Sequence, residues 1–556
     1  MMNMRAVSKS LVLSAWQRVV ASCVLLGRSR FFPVVLLAMA VFALYGQFLW
    51  NPVIFDDANF FSMDEDGHQP VSDFRFSLLE LRSLPYATLA WGKDFLGLDL
   101  RHFRIENMLL HFAVTLVLYF FLHTLVKLFS DRASERSLGP RSTAFIGALI
   151  FALHPVATYA TGYLVQRTIL MATLFSLLAM LSYLHGSLRQ NPRWLWACVP
   201  FYYLAVFSKE HSIMLPAVLV ALTVLLHEDW FAQLKRRWAI FLALGLIALF
   251  VIAAKIGVLG KVYEFDAPEM LDMDNPLNYP LSVLTQSWLF FKYIGLWLFP
   301  NPGWMSIDMR EPFADSLMSR YALAMMAFIA YGAFAARLLL KRGRIGLVGL
   351  AMLFPWLMFM TEFSSVRIQE SFVLYRSYLW MAGACCVIPI ALDLLRKRMA
   401  VAIATIIALA MIPVSMDRLA TFSHPLLLWE DAAKLVENRH DLPGVYRIYL
   451  NRGTARHVVN NFDGAIEDYK LSLKLRPDWP HSYNNLGVTY IQKKDWPAAV
   501  EAFTHAIDIA RAKKTGMDIS PYFGRALAFE KLGRIDLAKR DYQETCRVLK
   551  RGCDKL

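Results

Sequence analysis

The chain has 556 residues, 57% of them hydrophobic and 14% aromatic, with only 18% charged and a mean hydropathy of +0.40. That balance excludes an ordinary soluble globule and indicates a polytopic membrane protein. The formal charge of +14 sits in short basic clusters between apolar runs, which is how topology signals look and not how a nucleic-acid groove looks, so no nucleic-acid partner is expected.

Residues 1–30 carry Arg5, Lys9, Arg18, Arg28 and Arg30 ahead of the apolar run 31–50, which is about as long as a bilayer requires. No small-residue cleavage site follows, so the reading is an uncleaved first span with a cytoplasmic N-terminus. The chain then leaves the bilayer through NPVIFDDANFF at 51–61, with Asp56 and Asp57 side by side. Carboxylates at a membrane edge are costly to desolvate and are candidates for function. The competing reading is a solvated loop start in which Asp57 or Asn59 caps a helix. The loop 51–104 is rich in acids (Asp64, Glu65, Asp66, Asp73, Glu80) and is expected outside the cytoplasm, with 74–95 as an amphipathic interfacial helix.

Further spans are expected near 105–129, 142–160, 168–187, 194–207, 212–227, 238–258, 319–340, 345–361, 373–394 and 399–416. The basic connectors are Arg132/Arg136/Arg141, Arg189/Arg193, Lys235/Arg236/Arg237, Lys341/Arg342/Arg344 and Arg396/Lys397/Arg398. All of them face the cytoplasm only if the apolar stretch 281–300 is re-entrant or interfacial within an extracytoplasmic region 259–318. The expectation is therefore about eleven crossings, with everything after Met416 on the far side of the membrane. His111 falls inside the second span and is expected to face the bundle as packing or a hydrogen bond.

From about residue 418 the apolar runs give way to amphipathic helices. Gly453 and Gly487 lie 34 residues apart, and aligning them pairs Tyr449 with Tyr483, Ala465 with Ala499 and Tyr469 with Phe503, with Pro477 closing the first unit. A third unit carries Tyr522, Ala526, Phe529, Gly533, Ala538 and Tyr542. That period, with small residues under aromatics, defines tetratricopeptide repeats. Residues 427–434 (LLWEDAAK) add a helix that caps the array against the membrane. Cys23, Cys198, Cys385, Cys386, Cys546 and Cys553 show no metal-ligand spacing. On one continuous helix Cys546 and Cys553 would be about 10 Å apart, too far to bridge, so no disulfide is expected unless the helix breaks near Gly552.

Five stretches, taken in order, carry a resemblance: 55–61 (FDDANFF), 153–170 (LHPVATYATGYLVQRTIL), 208–216 (SKEHSIMLP), 285–308 (TQSWLFFKYIGLWLFPNPGWMSID) and 374–383 (LYRSYLWMAG). With the repeats behind them, the chain resembles the transmembrane and tetratricopeptide-repeat O-mannosyltransferase-like family, as a bacterial member. The resemblance implies a GT-C-fold, all-α enzyme: a polytopic membrane helix bundle over 31–417 followed by a tetratricopeptide-repeat solenoid over 418–556. It implies an inverting glycosyltransferase that uses a polyisoprenyl-phosphate-linked sugar donor on the extracytoplasmic face, with the repeats binding a protein acceptor.

Asp56 matches the first acid of the family's pair and takes the role of base; Asp57 orients the acceptor or helps Asp56 hold a divalent cation through oxygen ligands. Arg167, Arg376, Lys209, Lys292, Arg104 and His154 are candidates for the donor phosphate or substrate, the arginines because guanidinium forks bind phosphate bidentately. Glu210 joins Lys209 as a candidate, the alternative being an internal ion pair; for His154 the alternative is a structural cap of its turn. Two positions depart from the family, Tyr159 and Leu374-Tyr375, so mannose is not carried over as the sugar. Short connectors place the protein in a bacterial inner membrane with site and repeats in the periplasm. The competing functions are a membrane-anchored scaffold for envelope or pilus assembly, a transferase acting on a glycan or lipid, and a flippase. The last would put charges at mid-membrane depth on broken helices.

Overall fold

A computed structural model of the chain describes residues 31–62, 69–129, 138–262, 264, 267–513, 520–549 and 552–556. The basic cluster of residues 1–30, the acids Asp64, Glu65 and Asp66, and Arg132 and Arg136 lie outside the described residues. Regular structure among the described residues is helical, with two isolated bridges, Val262 to Val366 and Met309 to Phe372.

Five helices are long and apolar enough to cross a membrane: Leu100–Phe129, Leu164–Arg189, Arg320–Leu340, Gly343–Ser364 and Lys397–Thr421. Three further candidates are bent pairs, so the described residues hold up to eight such spans by length and composition, against the eleven expected. The shortfall comes from breaks and from short helices such as Phe32–Phe48 and Glu210–Leu226. Pro140–Leu153 turns by 62° into Pro155–Thr161, because Pro155 removes a backbone donor and disfavours helical geometry at His154. His154 is extended there, and its ring accepts the N–H of Val156. The stretch expected to re-enter is one continuous helix, Asn278–Leu298, packed against Arg320–Leu340.

Leucines and aromatics are left on the outside of the bundle, for example Leu242, Leu246, Leu249 and Phe250 on Trp238–Ala254. In lipid this costs nothing. Inside, His111 meets the Tyr378 hydroxyl at 2.7 Å and the Ala152 carbonyl at 3.1 Å. The interfacial helix of the first loop is shorter than expected, Ser83–Leu96. Arg82 precedes it at φ 65° and donates its N–H to the Phe207 carbonyl, which ends the loop where the helix can start.

The C-terminal helices pair as Val445–Val458 with Phe462–Leu475, Pro480–Gln492 with Trp496–Lys513, and Ser520–Lys531 with Ile535–Leu549. The first two crossings each have a glycine under an aromatic ring. A Cβ on Gly453 would stand 2.7 Å from Tyr469, and one on Gly487 2.8 Å from Phe503. Gly524 of the third pair packs instead under Phe503 of the second pair, which joins the two units. Helix Pro425–Val436 caps the array and shares a core with Val445–Val458 through Trp429, Ala432 and Ile448.

Cys546 and Cys553 are bonded, with Cα atoms 5.0 Å apart, which corrects the sequence expectation. The helix ends at Leu549, and Gly552 at φ +73° reverses the chain, so the α-helical spacing no longer applies.

Two outcomes test this packing. Gly487→Val overfills its crossing and costs about 1–3 kcal/mol, read as a lower unfolding temperature of the full chain in detergent. Without reductant, Cys546 and Cys553 resist alkylation in native membranes, and reduction adds two alkyl masses to the C-terminal fragment.

Candidate active site

The first loop is fastened from below. Asp57 is fully buried, and its carboxylate accepts the backbone N–H of Val165 at 2.9 Å and of Leu164 at 3.2 Å. Burial pushes this carboxyl up to about 7, against the pull of those donors and of Arg104. Arg104 spends its guanidinium on three carbonyls, those of Asn51 (3.0 Å), Gly162 (2.9 Å) and Pro52 (2.5 Å). The first loop is thus tied at two points to the turn at 162–165, where Leu164–Arg189 begins.

Above this anchor Phe55 takes φ 47°. That is a costly conformation for a residue with a Cβ, of the kind retained at functional sites. Its ring meets Trp429 of the repeat cap at 5.6 Å, while Asp56 faces a polar cleft of about 770 Å³. Asp56 donates its backbone N–H to the Tyr163 hydroxyl at 3.0 Å. Burial raises the Asp56 carboxyl above its ordinary range, opposed by the Tyr163 hydrogen bond, and Glu370 raises it further while Arg447 and Lys209 lower it.

Lys209, Glu210 and Arg376 line the same cleft, joined by Arg82, Arg367, His211 and Glu370. Lys209 donates to Gln166 Oε1 at 2.9 Å and to Thr168 Oγ1 at 3.4 Å, and its ammonium lies 4.5 Å from the Tyr375 ring centroid. Burial, then repulsion from Arg82, holds that ammonium well below the ordinary lysine range. Glu210 is clamped by Arg82, with Nε to Oε2 at 3.0 Å, so the internal ion pair expected for it is with Arg82 and not with its neighbour Lys209. Arg376 bonds Glu362 at 3.1 Å and the Glu370 carboxylate at 2.8 Å. Glu362, buried, also meets His211 at 3.0 Å and Arg367 at 3.9 Å. The Glu370 carboxylate is the most open acid of the group, with 38% of its side chain exposed.

The other predicted site residues stand elsewhere. Arg167 is buried against Asn107, Thr88 and Phe103 and pairs with Glu106 at 2.6 Å. Arg104 and Asp57 hold backbone, as described. Lys292 pairs with Glu311 and sits over Phe372. His154 bonds the Trp297 carbonyl at 3.0 Å and borders a separate apolar cavity of about 750 Å³. Because Asp57 commits both oxygens to backbone donors, the acid pair does not form a joint ligand set. Among the described residues no three His, Cys, Asp or Glu side chains gather as a metal site. Sequence reading missed Tyr163, Arg82, Gln166, Arg367 and Glu370. Tyr163 and Gln166 sat inside a quoted motif, but the aromatic and amide carried no chemical signal of their own.

A tetratricopeptide-repeat family model matches residues 480–513. Protein O-mannosyl-transferase Tmtc3 of Drosophila melanogaster is 22% identical over 484 residues, 75% of this chain and 50% of its own length. Protein O-mannosyl-transferase F38B6.6 of Caenorhabditis elegans is 26% identical over 34% of this chain and 25% of its own length. The chain is a relative of the transmembrane and tetratricopeptide-repeat O-mannosyl-transferases. A further relative, protein O-mannosyl-transferase TMTC1 of Mus musculus, reaches 39% identity over 87 residues, 16% of this chain and 8% of its own. The chain spans about half or less of the length of these relatives. The crystal structure of yeast Tom70 aligns over 73% of this chain and 81% of its own at 12% identity, with a TM-score of 0.14, an overlay too poor to carry an argument. Of the two departures from the family, Tyr159 packs on Phe422 outside the cleft, whereas Tyr375 lines it.

Asp57→Ala strands two buried N–H donors at about 1–3 kcal/mol each, seen as a lowered unfolding temperature. Because the folded carboxyl is raised to about 7 from 3.8, its contribution is full below the unfolded value and is lost as pH rises through the folded one. Asp57→Asn flattens that part of the stability profile in thermal unfolding between pH 4 and 8.

Proposed function

We propose that this chain is a membrane glycosyltransferase that moves a sugar from a polyisoprenyl-phosphate-linked donor to a protein hydroxyl. The observation that carries the reading is Asp56 in one cleft with the buried cations Lys209 and Arg376. A base and a phosphate site must lie on opposite sides of one anomeric carbon, and this cleft brings both kinds of group to one place. The acceptor O–H gives its proton to the Asp56 carboxylate as its oxygen bonds to the anomeric carbon. The bond from that carbon to the lipid phosphate breaks, and Lys209 and Arg376 take up the charge that develops on the leaving oxygen. A single displacement inverts the anomeric centre.

Three features support the finer parts of the reading. The apolar cavity beside His154 includes Met381 and Ala384 of the helix that Arg376 begins, about 8–12 Å along the axis, a suitable place for a prenyl tail. The relatives named above are protein O-mannosyl-transferases, which favours a protein acceptor held by the repeats. The Cys546–Cys553 bond fits an oxidising compartment, in line with repeats and cleft outside the cytoplasm and, with short basic connectors, with a bacterial inner membrane.

The deciding experiment compares intact masses of exported proteins from cells carrying the wild type or Asp56→Asn at equal membrane abundance. One protein loses a sugar-sized mass in the mutant. Unchanged masses throughout would remove either Asp56 as base or the protein acceptor. For the purified enzyme, Asp56→Asn lowers kcat by about 10²–10⁴. Asp56 must be ionised to take the proton, and its carboxyl is raised, so the acidic limb of kcat/KM lies above pH 3.8. Lys209 must be charged to hold phosphate, and it is lowered, so the alkaline limb lies below pH 10.5. A rate that stays flat down through pH 3.8 would sink the assignment of Asp56.

A further inference from the structure

The helices Arg167–Arg189 and Pro192–Ser208 form a packed antiparallel hairpin. One end of it brings Thr168 and Lys209 to the cleft. The other end, about 34 Å away along the first helix, borders an open pocket of about 660 Å³ counting its mouth. A helix of that length crosses a hydrocarbon core, so pocket and cleft stand at opposite ends of the bundle. Backbone sets the pocket's shape. Gln190 takes φ 51° to close the hairpin, and a Cβ on Gly186 would stand 2.6 Å from the nitrogen of Leu195, which lines the pocket. The remaining wall is a corner, where Trp230–Arg236 turns by 73° into Trp238–Ala254 with Arg237 between them.

Arg237 lines this pocket yet is only 5% exposed. Its guanidinium meets Ser187 Oγ at 2.8 Å, the Tyr183 hydroxyl at 3.0 Å, Gln233 Oε1 at 3.2 Å and His227 Nε2 at 3.4 Å. Among the described residues none of those partners is a carboxylate, whereas Arg82, Arg167 and Arg376 each have one. The two acids of the connector are engaged elsewhere. Glu228 faces Arg342 at 3.5 Å, and Asp229 accepts the Gln233 amide at 2.9 Å. The end of Arg167–Arg189 offers at most about half a negative charge, so part of the guanidinium charge is unmet. Arg236 lines the same pocket and adds a second, exposed cation.

The geometry points to a site for a phosphate ester here: the headgroup of an anionic phospholipid, held by Arg237 and Arg236 at the membrane face opposite the reactive cleft. The inference does not depend on the transferase reading. Guanidinium forks take phosphate oxygens bidentately, and a phosphate supplies the counter-charge that the fold leaves out. A lipid suits the pocket better than free phosphate because one side of it is apolar, with Leu195 and Trp196. Trp238–Ala254, which leads away from it, leaves Leu242, Leu246 and Leu249 outside for acyl chains. Trp194, Trp196 and Trp238 are all exposed at these helix ends, as tryptophans are at headgroup depth.

Native mass spectrometry and thermal unfolding of the full chain in detergent test the site, with phosphatidylglycerol as the probe. Wild type retains one phosphatidylglycerol in preference to phosphatidylcholine, and the anionic lipid raises its unfolding temperature. Arg236→Glu, at an exposed position, weakens phosphatidylglycerol binding about tenfold or more through loss of a charge-assisted contact. Arg237→Gln does the same and abolishes the lipid-induced rise in unfolding temperature. Lys341→Glu makes the same charge change on an exposed residue of another basic connector and leaves binding unchanged. Equal weakening by Arg236→Glu and Lys341→Glu would reduce the effect to general surface charge and overturn the site. Equal retention of the two lipids by wild type would overturn it too. Inorganic phosphate that stabilises wild type as well as phosphatidylglycerol does at equal concentration would remove the lipid as occupant.

Discussion

The buried carboxylate of Asp57 is the constraint on which the site depends. A charge or a proton sealed under a loop is tolerated only when its hydrogen-bonding capacity is met, and here two backbone N–H groups at the start of Leu164–Arg189 meet it. The loop cannot rise without stranding all three groups. Arg104 adds three carbonyls of the same two segments to the knot. The adjacent residue, Asp56, thereby gains a fixed direction into the cleft. Of two acids neighbouring in sequence, one supplies rigidity and the other remains available for chemistry.

The cleft is held by a network in which cations and carboxylates restrain one another. Glu362 gathers Arg376, Arg367 and His211 below it, and Arg82 clamps Glu210. Removing one member of such a buried set leaves an uncompensated charge, commonly at a cost of about 3–5 kcal/mol. That favours a preformed site over one assembled on binding. Lys209 differs from the rest because its partners are a neutral amide and a hydroxyl. On the reading proposed above, a phosphate beside it would complete the ammonium's solvation.

The repeat array enters the same argument through contact. Trp429 packs on Phe55, Arg418 reaches Asp431 at 3.0 Å, and Gly444 fits against Arg310. The strained backbone at Phe55 is thus supported from the repeat side and by the Asp57 anchor from the membrane side. The first repeat helices and the loop that carries Asp56 thus form one packed piece.

Composition and periodicity by themselves determined the membrane class, the helical bundle and the tetratricopeptide units, because hydrophobic runs and a glycine-aromatic period are local properties of the chain. They also brought Asp56, Lys209, Glu210 and Arg376 forward as candidates by residue type and place. What only the tertiary structure decided is which of the charged residues share a cleft. Arg167, Arg104, Lys292 and His154 are polar or charged like those that line it, but each is engaged elsewhere, by Glu106, the Asn51 carbonyl, Glu311 and the Trp297 carbonyl respectively. The Cys546–Cys553 bond was hidden for a similar reason, since one glycine at positive φ changed the geometry that the spacing implied. Whether a polar group is free or spent depends on what the fold folds against it, and that is a long-range property no window of sequence contains.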